Sequence, residues 1–146
     1  MRIKVITLIQ PWATLIALGE KQIETRSWWT DYRGQLGIHA GKTIDLESCN
    51  QPRIKAALAS HGITSPSQLP TGCILSTCQV FDCKKMIIDK NNRIAVPGYK
   101  ISDREISFGH YAPGRWAWIL ANNKKLQEPV PARGQQRLWD YDLRSA

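Results

Sequence analysis

The chain has 146 residues, a length typical of one ordinary domain. Hydrophobic residues make up 42% of it, which is enough for a packed core and excludes an intrinsically disordered chain. The 20 lysines and arginines exceed the 12 aspartates and glutamates, and the resulting net charge of +8 favours an anionic partner, most often nucleic acid. A basic protein without such a partner stays the alternative, because bulk charge does not reveal a charged patch.

The sequence predicts no membrane segment. No apolar run approaches the roughly 18 residues that a membrane-spanning helix needs. The short apolar run at the N-terminus is followed by Pro11 and Trp12 instead of a small-residue cleavage site, so we predict no signal peptide. We therefore expect no membrane partner and a cytoplasmic location.

The cysteines do not have the spacing of a zinc site. None of them forms a closely spaced pair of the kind that binds the metal, so we predict free cysteines that pack in the core. The four are Cys49, Cys73, Cys78 and Cys83. In a regular strand, Cys78 is expected on the opposite face from Cys73 and Cys83.

Two strands with a helix between them begin the predicted fold. The β-branched run over residues 3–9 predicts a buried strand. Pro11 suits the first turn of a helix and Gly19 its C-terminal end, and Trp12 belongs either to the inner face of this helix or to a ligand site. Residues 23–28 then predict a second strand.

The second strand carries the most distinctive side chains of the chain. Glu24, Arg26 and Trp28 share one of its faces. Lys21 lies three residues before Glu24, so on a regular strand its side chain would point to the opposite face. We therefore expect Lys21 in the turn after Gly19, from which its side chain can bend toward the same space.

The later elements continue a strand-rich pattern. We predict strands over residues 35–40, 73–83, 115–120 and 137–143, and a helix over residues 49–62. The region from about 84 to 112 has a weak pattern and several turn signals, which predicts a long, mostly exposed loop region. The order β-α-β-β-α-β, loop, β-β favours an α+β fold, a small mixed β-barrel with short flanking helices, over a doubly wound sheet.

The pattern GxKxxExR is present in full, as Gly19, Lys21, Glu24 and Arg26. It lies among the blocks QPWA, RSW, YRG and IHA, and the later blocks LPTGCILSTCQVFDC, RWAWIL and PVPARGQQRLW follow in order. This arrangement resembles the ASCH domain (activating-signal-cointegrator homology), a branch of the PUA-like superfold. The resemblance covers almost the whole chain except the 84–112 region, and it implies a PUA-like barrel with a cleft between barrel and helices. We therefore expect a single domain over residues 1–146 with a loop-rich insertion at about 84–112.

The resemblance implies more than one activity. ASCH and PUA-like domains are tied to RNA, to nucleic acid in general and to modified nucleosides. Some small bacterial members remove the acetyl group from N4-acetylcytidine, and one member is described as a ribonuclease, so membership does not determine the activity.

The amidohydrolases of the family use a lysine, a threonine three residues later and a distant glutamate. Lys21 matches that lysine, but Glu24 stands at the position of the threonine, and Thr25 lies one residue too far. Glu47 or Glu105 is a candidate for the distant acid. If the protein is an enzyme, the candidate catalytic residues are therefore Lys21 and Glu24, and an amidohydrolase is favoured over a nuclease.

The candidate binding residues have the chemistry to hold a nucleobase. Trp28, with Trp29 beside it, offers a flat face for stacking, and the carboxylate of Glu24 can accept a hydrogen bond from an exocyclic amine. Arginines offer forked donors to phosphate or a carbonyl. The full predicted set is Gln10, Trp12, Lys21, Glu24, Arg26, Trp28, Arg33, His39 and Arg133.

Several of these residues also have a structural interpretation. Glu24 and Arg26 can pair to stabilise the barrel, Trp28 can belong to the core, and His39 can be a buried histidine with satisfied hydrogen bonds. Arg133 can belong to a turn.

Three hypotheses follow. The first is a nucleic-acid-binding protein that recognises RNA, DNA or a modified nucleoside in a cleft around the GxKxxExR residues, with basic loop residues on the phosphates. The second is an enzyme of the two kinds above. The third is a protein-interaction module of a transcription or RNA-processing complex, which we rank last because the chain has no second domain to tether. We predict no cofactor and no metal, and the oligomeric state stays open.

Overall fold

The computed structural model describes residues 1–144, and its centre is one mixed six-stranded sheet. The strands are β1 (Arg2–Gln10), β2 (Ile23–Arg26), β3 (Gln35–Ile44), β4 (Cys73–Lys85), β5 (Ile87–Ile88), β6 (Ile94–Ala95), β7 (Trp116–Pro131) and β8 (Leu138–Asp142). The order in the sheet is β2-β7-β4-β3-β1-β8, and β5 and β6 form a separate hairpin. β1 and β3 are parallel, whereas the other neighbours in the sheet are antiparallel.

The helices are short and flank this sheet. They are α1 (Trp12–Ala17), α2 (Leu46–Cys49), α3 (Pro52–Ala59) and α4 (Asp103–Ile106), with a single 3-10 turn at Pro66–Gln68. The helix predicted over residues 49–62 is present as the shorter α3, which Pro52 begins with Gln51 as its N-cap, whereas α2 lies before the predicted range except for Cys49. No helix within residues 1–144 is long and apolar enough to cross a membrane.

The sheet curls until its two edges meet through side chains. Arg26, at the end of β2, donates from Nη2 to the carbonyl oxygen of Thr7 on β1 at 3.0 Å. Arg137, which precedes β8, lies over the ring of Trp28 at 4.2 Å. Side chains of β1, β3, β4, β7 and α1 share the enclosed core, in which Trp118 is fully buried. The predicted α+β fold with a barrel-like mixed sheet and short helices is confirmed.

Two bulges in β4 change the predicted positions of the cysteines. Leu75 is an extra residue opposite β3, and Phe81 is an extra residue opposite β7. Each extra residue reverses the alternation of the strand, so Cys73, Cys78 and Cys83 pack in the same core. The prediction of opposite faces was therefore wrong, whereas the prediction of free, buried cysteines is confirmed. Burial raises the pKa of the Cys78 thiol to about 12, which keeps it neutral.

The segment between β4 and β7, residues 86–115, is largely the exposed, loop-rich region that the sequence predicts, but three buried side chains anchor it to the rest of the fold. We call it the connecting segment. Met86, Val96 and Phe108 are buried, and the first two pack with Ile23 of β2. Phe108 packs against α1 and α3. The sequence pattern is weak here because the buried residues are widely spaced and contact distant parts of the chain.

β7 is also longer than predicted. The sequence indicates a strand over residues 115–120, but the strand continues to Pro131 beside β4. Its second half is mostly polar and exposed, with Leu126 as a buried exception. A polar, proline-containing stretch lacks the apolar alternation that identifies a half-buried strand, which explains why the sequence did not predict the second half of β7.

The packing of the connecting segment leads to a first prediction. Phe108→Ala should lower the free energy of unfolding by about 3–5 kcal/mol, because Phe108 is fully buried and truncation leaves a cavity. Phe81→Ala is the matched control, and it should change stability by less than about 0.5 kcal/mol because the ring is exposed on its bulge. Urea denaturation measures both. Equal small effects would contradict the buried position of Phe108.

Candidate functional site

A cavity of about 540 Å³ opens between the end of β1, the strand β2 with the residues that follow it, and the connecting segment. Five of the nine predicted binding residues line it, namely Trp12, Lys21, Glu24, Arg26 and Trp28. Residues that the sequence did not indicate, such as Phe108, His110 and Arg115, complete the wall from the connecting segment. The GxKxxExR residues and the connecting segment therefore face each other across one cavity.

Lys21 is buried at one side of this cavity. Its Nζ donates to the carbonyl oxygens of Ile23 and Phe108 at 2.5 Å each, and it lies 3.8 Å from Oε1 of Glu24. The two carbonyls use two of the three donors of an ammonium group, and Glu24 lies at ion-pair distance, too far for a hydrogen bond. Burial lowers the pKa of Lys21, and the carboxylates of Glu24 and Glu105 oppose that effect. The expected bend from the turn toward the Glu24 face is confirmed.

Glu24 keeps one carboxylate oxygen available at the cavity wall. The side chain is only 8% exposed. Its Oε2 accepts a hydrogen bond from Nε of Arg26 at 2.8 Å, whereas Oε1 accepts none within residues 1–144 by ordinary distance criteria. The ion pairing that was the structural alternative for Glu24 and Arg26 is present, and it leaves acceptor capacity on Oε1.

Glu105 positions the chain just before and at the start of β2. Its carboxylate accepts from the backbone N–H groups of Gln22 at 3.0 Å and Ile23 at 3.3 Å. Burial raises the pKa of Glu105, although those two hydrogen bonds and Lys21 act in the opposite direction. The other candidate for a distant acid, Glu47, is exposed on α2 and does not line the cavity.

Trp28 belongs both to the core and to the cavity wall. Its ring meets the ring of Trp118 edge to face at 4.9 Å, and the guanidinium of Arg137 lies over it at 4.2 Å. The same ring lines the cavity, as does the half-buried ring of Trp12. Trp29 packs near Trp116 and is half exposed outside the cavity.

Two predicted binding residues lie away from the cavity. Gln10 is fully buried, and its amide bonds to the side chain and backbone of Thr14 and to the carbonyl of Pro70. Arg33 folds back onto the carbonyls of Thr30 and Tyr32. Gln10 therefore does not line the cavity with the other predicted binding residues, because its amide is engaged by Thr14 and Pro70 inside the fold.

His39 and Arg133 line a second cavity, of about 820 Å³, on the other side of β1. His39 is buried, and its Nε2 donates to the carbonyl oxygen of Ala132 at 2.7 Å. Its Nδ1 lies 3.1 Å from Oγ1 of Thr7, which also accepts from Nε1 of Trp139. Both ring nitrogens are therefore engaged, as the structural interpretation of His39 predicts.

The described residues offer no obvious metal site. Within residues 1–144, no group of three or more His, Cys, Asp or Glu side chains is arranged to hold a metal ion.

The half-buried carboxyl of Glu105 leads to a second prediction. A carboxyl with a raised pKa in the folded state binds more protons than in the unfolded state between about pH 4.5 and the folded pKa. Its contribution to stability is therefore full at lower pH and declines as the pH rises through that window. Relative to Glu105→Gln, the protein should lose stability as the pH increases from about 4.5, in urea denaturation at a series of pH values.

Glu128→Gln removes one exposed carboxylate from β7 and corrects for the change in net charge. A stability difference between the protein and Glu105→Gln that grows with pH would show that the fold favours the charged form of Glu105, contrary to this prediction.

Comparison with known proteins agrees with the resemblance to the ASCH domain. The chain is 27% identical over 139 residues to activating signal cointegrator 1 of Homo sapiens, and the identity to the Mus musculus protein is the same. Each alignment covers 94% of this chain and 22% of the relative. It thus spans less than a quarter of the length of these relatives. A crystal structure of ASCH from Zymomonas mobilis aligns with a TM-score of 0.49 at 11% identity, over 88% of this chain and 72% of that one. The sequence model of the ASCH domain matches residues 6–131, and the chain therefore belongs to the ASCH domain family.

Proposed function

We propose that the protein binds single-stranded nucleic acid and holds one nucleobase in the cavity around Lys21, Glu24 and Arg26. The observation that carries this proposal is the Oε1 atom of Glu24, a nearly buried carboxylate oxygen that accepts no hydrogen bond from residues 1–144. Such an acceptor is best satisfied by a ligand that donates. The exocyclic amine of a base is a donor of this kind.

The size and lining of the cavity support a base as the ligand. Small-molecule sites have volumes of roughly 300–1,000 Å³, and this cavity has about 540 Å³. The rings of Trp12 and Trp28 line the cavity, and a base stacked on the ring of Trp12, or on the face of Trp28 that Arg137 does not cover, gains about 1–3 kcal/mol. A base inside a cavity has left its stack, so the ligand is a single strand or a flipped or modified nucleotide.

The charge of the lining supports an anionic ligand. Lys21, Arg26 and Arg115 outnumber Glu24 among the charged residues of the wall. Arg115 donates to the carbonyl oxygens of His110 and Thr25, which orients its guanidinium along the cavity. The net charge of +8 and membership of the ASCH family agree with nucleic acid as the partner.

The proposal predicts a preference for cytosine over uracil. The two bases differ where cytosine has its amine, so Glu24 should favour cytidine oligonucleotides over uridine oligonucleotides by about 1–3 kcal/mol. Glu24→Gln should remove this preference, because its amide can turn a donor toward the ligand. Fluorescence anisotropy with single-stranded probes of about six nucleotides measures both affinities. Equal affinity of the unmodified protein for the two probes would contradict the role of Glu24.

Trp28 provides a second test of the same site. Trp28→Ala should weaken the binding of both the cytidine and the uridine probe by about 1–3 kcal/mol, because either base can stack on the ring. Phe81→Ala removes an exposed aromatic ring outside both cavities and is the matched control. Unchanged affinity of Trp28→Ala, together with a lowered melting temperature, would assign Trp28 to the core alone.

An amidohydrolase of acylated cytidine is the second candidate, and the position of Lys21 is the observation that favours it. The lysine lies at the cavity wall with a lowered pKa, and Thr25, whose hydroxyl accepts from the backbone N–H of His110 at 3.0 Å, lines the same cavity. In such a reaction, water attacks the amide carbonyl, the C–N bond breaks, and the amine leaves with a proton, giving acetate and cytidine. Lys21 donates to two carbonyls, so its role would be to stabilise charge rather than to attack.

Incubation with N4-acetylcytidine, followed by chromatography, separates the two candidates. The binding proposal predicts no cytidine above a control without protein. Release of cytidine by the unmodified protein, and not by Glu24→Gln, would establish the enzyme instead. Lys21→Ala is a poor control because it leaves two buried carbonyls and Glu24 without their partner, and breaking a buried ion pair costs about 3–5 kcal/mol.

A further inference from the structure

The second cavity has the composition of an anion site. No aspartate or glutamate lines it, whereas Lys42 and Arg133 do. Both side chains are exposed, and neither forms an ion pair with any residue from 1 to 144. Gln135 and Gln136 add polar carboxamides to the wall. A concave surface with cations and without acids attracts phosphate.

The loop over residues 132–136 adds backbone donors to this surface. The N–H groups of Arg133, Gly134, Gln135 and Gln136 donate to no other residue in the described part of the chain. Unpaired N–H groups in an exposed, irregular loop are common contacts for phosphate oxygens.

The floor of the second cavity is rigid. Gly134 lies so close to His39 that a Cβ atom on it would come within 2.9 Å of the imidazole ring and 3.0 Å of Oγ1 of Thr7. His39 in turn is held by Thr7 and Ala132 through both ring nitrogens. The loop that carries Arg133 is therefore packed against the ring of His39, which holds the backbone of this loop beside β1.

The two cavities are neighbours. Both cavities are lined by Thr7, Leu8 and Ile9 of β1. Because β8 pairs with β1 only as far as Ile6, β8 does not cover the C-terminal end of β1 between the two cavities. Arg137 connects their rims, because it lies over Trp28 of the first cavity and follows Gln136 of the second.

We propose that the second cavity binds the phosphodiester backbone of the nucleotides that flank the base held in the first cavity, with Lys42 and Arg133 on the phosphates. This inference rests on the proposed function, and it adds that the ligand is a strand of several nucleotides that crosses β1 at Thr7, Leu8 and Ile9. The exposed side chain of Ile9 lies between the two cavities and offers an apolar surface to the strand.

The experiment compares the double variant Lys42→Ala/Arg133→Ala with Lys124→Ala/Lys125→Ala. The second pair removes two exposed cations of β7 that line neither cavity, so it controls for net charge. The probes are cytidine 5′-monophosphate and single-stranded cytidine and uridine oligonucleotides of about six nucleotides. Binding is measured between about 50 and 200 mM salt, and the melting temperature of each variant confirms folding.

The double variant should bind the oligonucleotides less tightly and reduce the slope of log K against log salt by about 1.4, since each neutralised phosphate on a single strand contributes about 0.7. Its affinity for the mononucleotide and its preference for cytidine should be unchanged. The control pair should leave the slope as it is in the unmodified protein.

Other outcomes separate this inference from the proposed function. If the slope of log K against log salt is unchanged in Lys42→Ala/Arg133→Ala, or falls equally in the control pair, the second cavity is not a backbone site. This conclusion would hold even if Glu24 still selects cytidine. Oligonucleotide binding that depends on Lys42 and Arg133 but not on Glu24, Trp28 or the base would support the backbone site and overturn the base site. Absence of binding to every oligonucleotide would overturn both.

Discussion

The buried ammonium group of Lys21 is the interaction on which the site depends. It joins the first residue of β2 to the connecting segment through the carbonyl oxygens of Ile23 and Phe108, and it faces Glu24. A buried charge of this kind is tolerated only when its donors are satisfied, because its desolvation costs several kcal/mol. The carbonyl oxygens of Ile23 and Phe108 supply partners for two of those donors, Glu24 supplies a nearby opposite charge, and the cavity lies beside them.

The same requirement orders the neighbouring side chains. Glu24 balances the charge of Lys21 and at the same time receives Arg26, whose Nη2 reaches across to Thr7 on β1. Glu105 holds the backbone of Gln22 and Ile23 from the other side. Charged groups that are held in place by one another in a low-dielectric site need little rearrangement when a ligand arrives, which favours specific recognition.

The open end of β1 gives the molecule two adjacent concave surfaces with different chemistry. The first combines aromatic rings with the nearly buried acceptor of Glu24, which suits a base. The second combines Lys42 and Arg133 with unpaired backbone donors, which suits phosphates. Base contacts provide specificity and phosphate contacts provide salt-dependent affinity, and this division is the usual one in nucleic-acid recognition.

The sequence by itself determined the strands and helices whose apolar residues alternate regularly, the basic charge, and the pattern that brings Lys21, Glu24 and Arg26 together. These features are local, so spacing along the chain is enough to reveal them. Only the tertiary structure decided that Phe108, 87 residues away from Lys21, closes the cavity, and that bulges place three cysteines of β4 in one core. It also decided that Gln10 faces inward and that Arg133 belongs to a second cavity. Contacts between distant segments depend on how the sheet curls, and that curvature has no periodic signature in the sequence.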